Sequence, residues 1–117
     1  RETNLGPCNY YRDYIYVQDV VEGIILSMEI ESSTIINLGT GSYVKVKDFV
    51  TMFWTNLGGA NKMLKFGSKA MIKNEPDQPK SFADLSRLNK LTNWRPSYSL
   101  EDGIKSLIEV LNSEKDR

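Results

Sequence analysis

Apolar residues recurring at three- and four-residue spacing form three stripes, and these fix most of what the chain can become. Val20, Val21, Ile24, Ile25 and Met28 form the first, broken at Ser32-Ser33. Val46, Phe49, Val50, Phe53 and Trp54 form the second, closed by Gly58-Gly59. Ile104, Leu107, Ile108 and Leu111 form the last, behind a Ser99-Leu100-Glu101-Asp102 run that reads as a capping box with aspartate in the usual glutamate place. Such spacing places each set on one helical face, which must be buried against something. Asp19 adds an acid at the positive end of the first helix.

Between the stripes the pattern changes. Tyr10 to Val17, rich in tyrosine and β-branched neighbours, predicts a short strand, as do Thr34 to Leu38, ended by Gly39-Thr40-Gly41, and Lys62 to Gly67. Asp84 or Ser86 is placed to cap a further helix through Leu85, Leu88, Leu91 and Trp94, which Pro96 stops. Arg1 to Asn9, with Gly6-Pro7 and no period, reads as loop, and Ser68 to Pro79 as an extended loop. From Asn112 the charged tail is expected to fray. The expected class is mixed α/β and helix-rich, about four helices with short strands, in one unit over residues 1–117 without repeat or linker.

Composition removes several functions. Lysine plus arginine equals aspartate plus glutamate at 15 each, so no net field draws nucleic acid or an anionic membrane surface. No apolar run approaches the roughly 20 residues of a membrane span and no signal-peptide pattern opens the chain, so it reads as cytoplasmic. The lone cysteine, Cys8, allows neither an internal disulfide nor a cysteine metal cluster. With no histidine, histidine-dependent triads and most zinc sites are excluded, and no metal site is expected.

Two motifs suggest chemistry that their context does not support. Gly39-Thr40-Gly41 follows a predicted strand and precedes a helix, as a phosphate cradle does, but Val44 occupies the place of the third fingerprint glycine. A plain turn is the expected reading. Tyr43 and Lys47 have the spacing in which lysine lowers a catalytic tyrosine's pKa, yet no cofactor fold precedes them. No catalytic residue is expected in this chain. Arg12, flanked by aromatics in Arg12-Asp13-Tyr14-Ile15-Tyr16-Val17-Gln18-Asp19-Val20, offers the planar donor fork that suits a diphosphate. A surface arginine paired with Asp13 is the competing reading.

That run resembles the Arg-Asp-aromatic-aliphatic-aromatic-Val-x-Asp-Val signature of the extended short-chain dehydrogenase/reductases, the NAD-dependent epimerase/dehydratase family of nucleotide-sugar enzymes. Ile36-Asn37-Leu38-Gly39-Thr40-Gly41 resembles the family's Asn-aliphatic-Gly-x-Gly turn. Phe82-Ala83-Asp84-Leu85-Ser86-Arg87, Trp94, Pro96 and Ser99-Leu100-Glu101-Asp102-Gly103-Ile104 resemble its closing run. The order and spacing of the three blocks span Tyr11 to Leu111.

The resemblance implies a substrate-binding carboxy-terminal part, with the amino-terminal Rossmann domain absent from this chain. It implies NAD or NADP in the parent enzyme, none bound by this part alone, and a nucleoside-diphosphate sugar as substrate. Arg12 corresponds to the diphosphate arginine, and Asp77 to an aspartate against the nucleotide ribose, with Pro76 where the family has glycine. Lys73 stands where a second phosphate-binding arginine is expected. Epimerisation, dehydration and reduction stay open as outcomes. The alternative is a non-catalytic binding or oligomerisation module, possible as a homodimer, derived from the same fold.

Overall fold

The computed structural model describes residues 1–69 and 80–115. Its elements run β1 (Thr3–Asn4), β2 (Tyr11–Arg12), α1 (Val17–Ser27), β3 (Val44–Lys45), α2 (Val46–Asn56), a 3₁₀ turn (Asn61–Met63), β4 (Leu64–Lys65), α3 (Ser86–Leu91) and α4 (Leu100–Lys115). The expected mixed α/β, helix-rich class holds among the described residues. β1 pairs in parallel with β4, Thr3 opposite Leu64, and β2 pairs antiparallel with β3, Arg12 opposite Val44. Lys80 makes a parallel bridge to Tyr11 on the other edge of β2. No described helix is long and apolar enough to cross a membrane.

Helix ends follow local chemistry. The Ser99 hydroxyl accepts the Asp102 amide at 3.1 Å, the N-cap half of the expected capping box. Asp84 accepts the Ser86 amide at 2.9 Å and its hydroxyl just ahead of α3, but the N-cap position falls on Leu85, so neither Asp84 nor Ser86 caps the helix as expected.

Five local expectations need correction. β1 lies inside the stretch read as loop, because backbone pairing with β4, continued by Leu5 N donating to Lys65 O at 3.0 Å, needs no side-chain period. Only Tyr11 and Arg12 of the first predicted strand are laddered. Residues 34–38 form no ladder among the described residues. Side chains hold this stretch instead: Arg87 Nη1 donates to Ile35 O at 2.7 Å and Asn37 Nδ2 to Asp84 O at 3.4 Å. α3 ends at Leu91, short of Trp94, because Thr92 turns extended, its hydroxyl donating to Leu88 O and accepting the Trp94 amide. The charged tail expected to fray continues α4 to Lys115, where a basic residue suits the negative end of the helix dipole.

The core is small. Leu88, Trp94, Ile104 and Leu64 are its buried apolar residues. Trp94 is inserted between α1 and the approach to α4, its Nε1 donating to Asp19 O at 3.0 Å. Gly23 makes room for it: a Cβ there would stand 2.6 Å from Leu38 Cδ1 and 3.2 Å from Trp94 Nε1. A mid-helix glycine costs about 1 kcal/mol relative to alanine, and this close approach is its return. Most of the α1 stripe is open to solvent: Val21, Ile24, Ile25 and Met28 are exposed, Met28 at 78%, with Val20 half-buried, and Val17 at the helix start is exposed too.

Candidate functional site

The site is organised by the run from Arg12 to Asp19. Arg12 and Tyr14 line one cleft, while Asp13 between them turns its carboxylate to the backbone of the glycine turn. The two sides do different work.

On the inner side, Asp13 gathers the two later sequence blocks. Its carboxylate accepts the Thr40 amide at 3.0 Å, the Gly41 amide at 3.0 Å, the Ala83 amide at 3.1 Å and the Thr40 hydroxyl. The amides of the glycine turn, oriented as an anion cradle would orient them, are thus spent on an internal carboxylate. This supports the plain-turn expectation for Gly39-Thr40-Gly41 with a specific cause. The turn also needs its first glycine, since a Cβ on Gly39 would lie 2.7 Å from both Asp13 Oδ2 and Ala83 Cβ.

Asp19 repeats the device at the head of α1. It is 1% exposed, and its oxygens accept the Ser97 amide at 2.9 Å and the Tyr98 amide at 3.0 Å. Expected as a dipole-satisfying acid, it also ties down the loop leading into α4. A buried carboxylate is tolerable here because its oxygens meet backbone donors.

On the outer side, Tyr14 stacks on Phe49 with centroids 3.9 Å apart and planes 6° from parallel. Burial pushes its phenol above the ordinary value, the opposing pull of Arg12 being smaller. Tyr16 lies 4.6 Å from the Tyr98 ring, whose hydroxyl donates to Gln18 Oε1 at 2.9 Å. The Tyr14 and Tyr98 rings, with Tyr43, wall a cleft of about 310 Å³ lined also by Arg12, Thr40 and Ser42, among others. Arg12 is half-buried at its edge, Nη1 donating to Tyr11 O at 2.7 Å and the guanidinium carbon 5.2 Å from the Tyr10 ring centroid. A second cavity, about 120 Å³ between α2 and α4, is lined mainly by apolar and aromatic side chains including Phe53, Ile104 and Leu107. Without a charged group it suits packing better than anion recognition.

Of the predicted site residues, Arg12 is placed in this cleft, while Lys73 and Asp77 lie outside the described residues. Tyr43 and Lys47 do not form a tyrosine–lysine pair on one helical face. Tyr43 precedes β3, Lys47 is inside α2, and Lys47 Nζ sits 5.2 Å from the Phe66 ring centroid. Four-residue spacing joins two side chains only when both are helical. Asp13, Asp19 and Tyr98 were not singled out by sequence as site builders.

The family profile described as GDP-mannose 4,6 dehydratase matches residues 1–107. The chain belongs to this family. It is 30% identical over 104 residues to a UDP-glucuronate 4-epimerase of Thermodesulfobacterium geofontis, covering 88% of this chain and 31% of that protein. A UDP-glucose 4-epimerase of Thermotoga maritima solved with UDP-glucose superposes with a TM-score of 0.83 at 30% identity, covering 98% of this chain and 36% of the other. A UDP-glucose 4-epimerase of Bifidobacterium longum solved with NAD⁺ and UDP shares the fold, TM-score 0.75 at 19% identity, over 98% of this chain and 36% of the other. The chain therefore spans about a third of the length of the curated relatives it matches. Family membership and fold agree with the resemblance read from the three blocks.

Proposed function

We propose that this chain is the substrate-gripping, carboxy-terminal part of an NAD(P)-dependent enzyme that modifies a nucleoside-diphosphate sugar. The observation that carries the reading is Arg12 at the edge of a cleft walled by tyrosines and hydroxyls, on a strand braced from behind by the Asp13 clasp. A guanidinium presents paired donors that match phosphate oxygens, and aromatic walls suit the flat faces of a base or sugar. Lys73 and Asp77 join it in the proposed site as second cation and ribose acceptor. Hydride transfer to and from NAD(P), and the tyrosine that moves the proton, belong in this reading to a cofactor-binding half outside the chain. Tyr14, with its phenol pushed up by burial, is poorly suited to act as a base near neutral pH.

The exposed α1 stripe and the unladdered stretch at 34–38 support the division of labour, since an apolar helix face beside an open strand-like edge is what a sheet-bearing neighbour would cover. The test is titration of the full-length protein, with NAD(P) present, against a panel of nucleoside-diphosphate sugars. Binding and turnover of one class are expected; neither, across a broad panel, overturns the reading.

The same exposed stripe favours a second reading, a non-catalytic module that associates with another copy through α1. Size-exclusion chromatography of this chain beside calorimetry with UDP separates the two. A dimer without UDP binding selects the module.

A further inference from the structure

Lys80 is a cation placed against two aromatic rings at once, over the corner where they meet. Its Nζ lies 5.5 Å from the Tyr11 ring centroid and 5.0 Å from that of Tyr43. The rings themselves meet edge to face at 5.5 Å and 88°, and Phe82 leans on Tyr43 at 5.2 Å. The backbone agrees with the side chains: Lys80 bridges Tyr11 in parallel, and the Ser81 amide donates to Tyr11 O at 3.1 Å. Two residues on, the Ala83 amide reaches Asp13. Lys80 thus begins the short run that is bridged to β2 at Tyr11 and tied again to Asp13, the residue after β2. On its other side Tyr43 is a wall of the cleft that Arg12 edges.

We propose that Lys80 is a positioning residue for the Arg12 cleft: its ammonium, clamped by Tyr11 and Tyr43, sets the Tyr43 wall and anchors residues 80–83 on β2. The clamp is a property of the ligand-free chain; its effect on substrate rests on the nucleotide-sugar reading above. An ammonium over an aromatic face is held by the ring's negative quadrupole, which a neutral chain of equal length cannot replace and a guanidinium can. Lys80 needs no contact with the ligand for this. The charge-dependence distinguishes it from a side chain that merely fills space.

The experiment uses the full-length protein as wild type, Lys80→Met, Lys80→Arg and Arg12→Met. Without ligand, Lys80→Met is expected to speed amide hydrogen exchange at Ser81 and Ala83 by about three-fold, the scale of one exposed cation–π contact, with Lys80→Arg restoring the wild-type rate. In calorimetry, Lys80→Met is expected to weaken UDP by about the same factor, again restored by arginine. Unchanged exchange in Lys80→Met, or equal loss in the methionine and arginine variants, overturns the clamp whatever UDP does. Faster exchange with unchanged UDP affinity, while Arg12→Met loses UDP, overturns the positioning role and leaves the nucleotide-sugar reading standing. UDP affinity indifferent to Arg12→Met overturns that reading, and the positioning role falls with it, whereas the exchange result still decides the clamp.

Discussion

The Ala83 amide donates to the Asp13 carboxylate at 3.1 Å across 70 residues of chain. The same carboxylate accepts the amides of Thr40 and Gly41, so three separated sequence blocks meet at one side chain beside the candidate diphosphate arginine. Bonds from backbone donors to an ionised acceptor are the stronger kind, and losing the acceptor leaves several donors unpaired at once.

Asp13→Asn keeps the shape but turns an NH₂ group toward amide donors. It is expected to lower unfolding stability by about 2 kcal/mol and to weaken UDP, because β2 and its Arg12 lose their brace. Urea unfolding and calorimetry of the full-length protein measure both. An unmoved unfolding midpoint would mean that water satisfies the turn as well as Asp13 does.

Arg12→Met is expected to weaken UDP by about 10- to 100-fold, the value of one or two charge-assisted hydrogen bonds. Arg12→Lys should stay well below wild type, since a point charge cannot reproduce the fork. Full affinity in the lysine variant would show that charge alone suffices at the cleft edge.

Trp94→Ala removes one of the two largest buried apolar side chains and is expected to cost about 3–5 kcal/mol. Trp94→Phe keeps much of the volume but loses the bond to Asp19 O, which should add a cost of about 1 kcal/mol. Chemical denaturation followed by circular dichroism separates the two terms.

The hydroxyl and amide of Ser86 both donate to Asp84 and hold its carboxyl below the ordinary value of 3.8. A depressed folded-state pKa means the stabilisation is complete above the unfolded-state value and disappears as pH falls through the folded-state one. The acid limb of a stability profile should therefore shift in Asp84→Asn, whose side chain does not titrate, relative to wild type below about pH 4. Parallel acid limbs in the two proteins would mean that the Asp84–Ser86 bonds do not stabilise the fold.

Much of this was readable in advance, for uneven reasons. The stripes of α1, α2 and α4 are long enough for their period to dominate, and Ser99 acts at a helix start as its type suggests. Strands of two residues carry too little pattern to be read, so β1 was missed and the extent of β2 overstated. Val44 and Lys45 pair with β2 immediately before α2 begins, where a helical stripe masks any strand signal. At the site, Arg12 was legible because its neighbours form a motif. The roles of Asp13 and Asp19 were not, because their partners are backbone amides of residues 27 to 79 positions away. An amide has no residue type and leaves no mark on sequence.

That anonymity bears on how this fold can be rebuilt. The acceptor at Asp13 is a particular side chain, while three of its four donors belong to the main chain at Thr40, Gly41 and Ala83. In chimeras between relatives the junction therefore tolerates an exchange only if it keeps the spacing that presents these three amides, a hydroxyl at 40 and small residues at 39 and 83. A single insertion between Gly39 and Gly41 would displace the Thr40 and Gly41 donors together. Loop length is thus inherited here alongside the few side chains that the close packing demands.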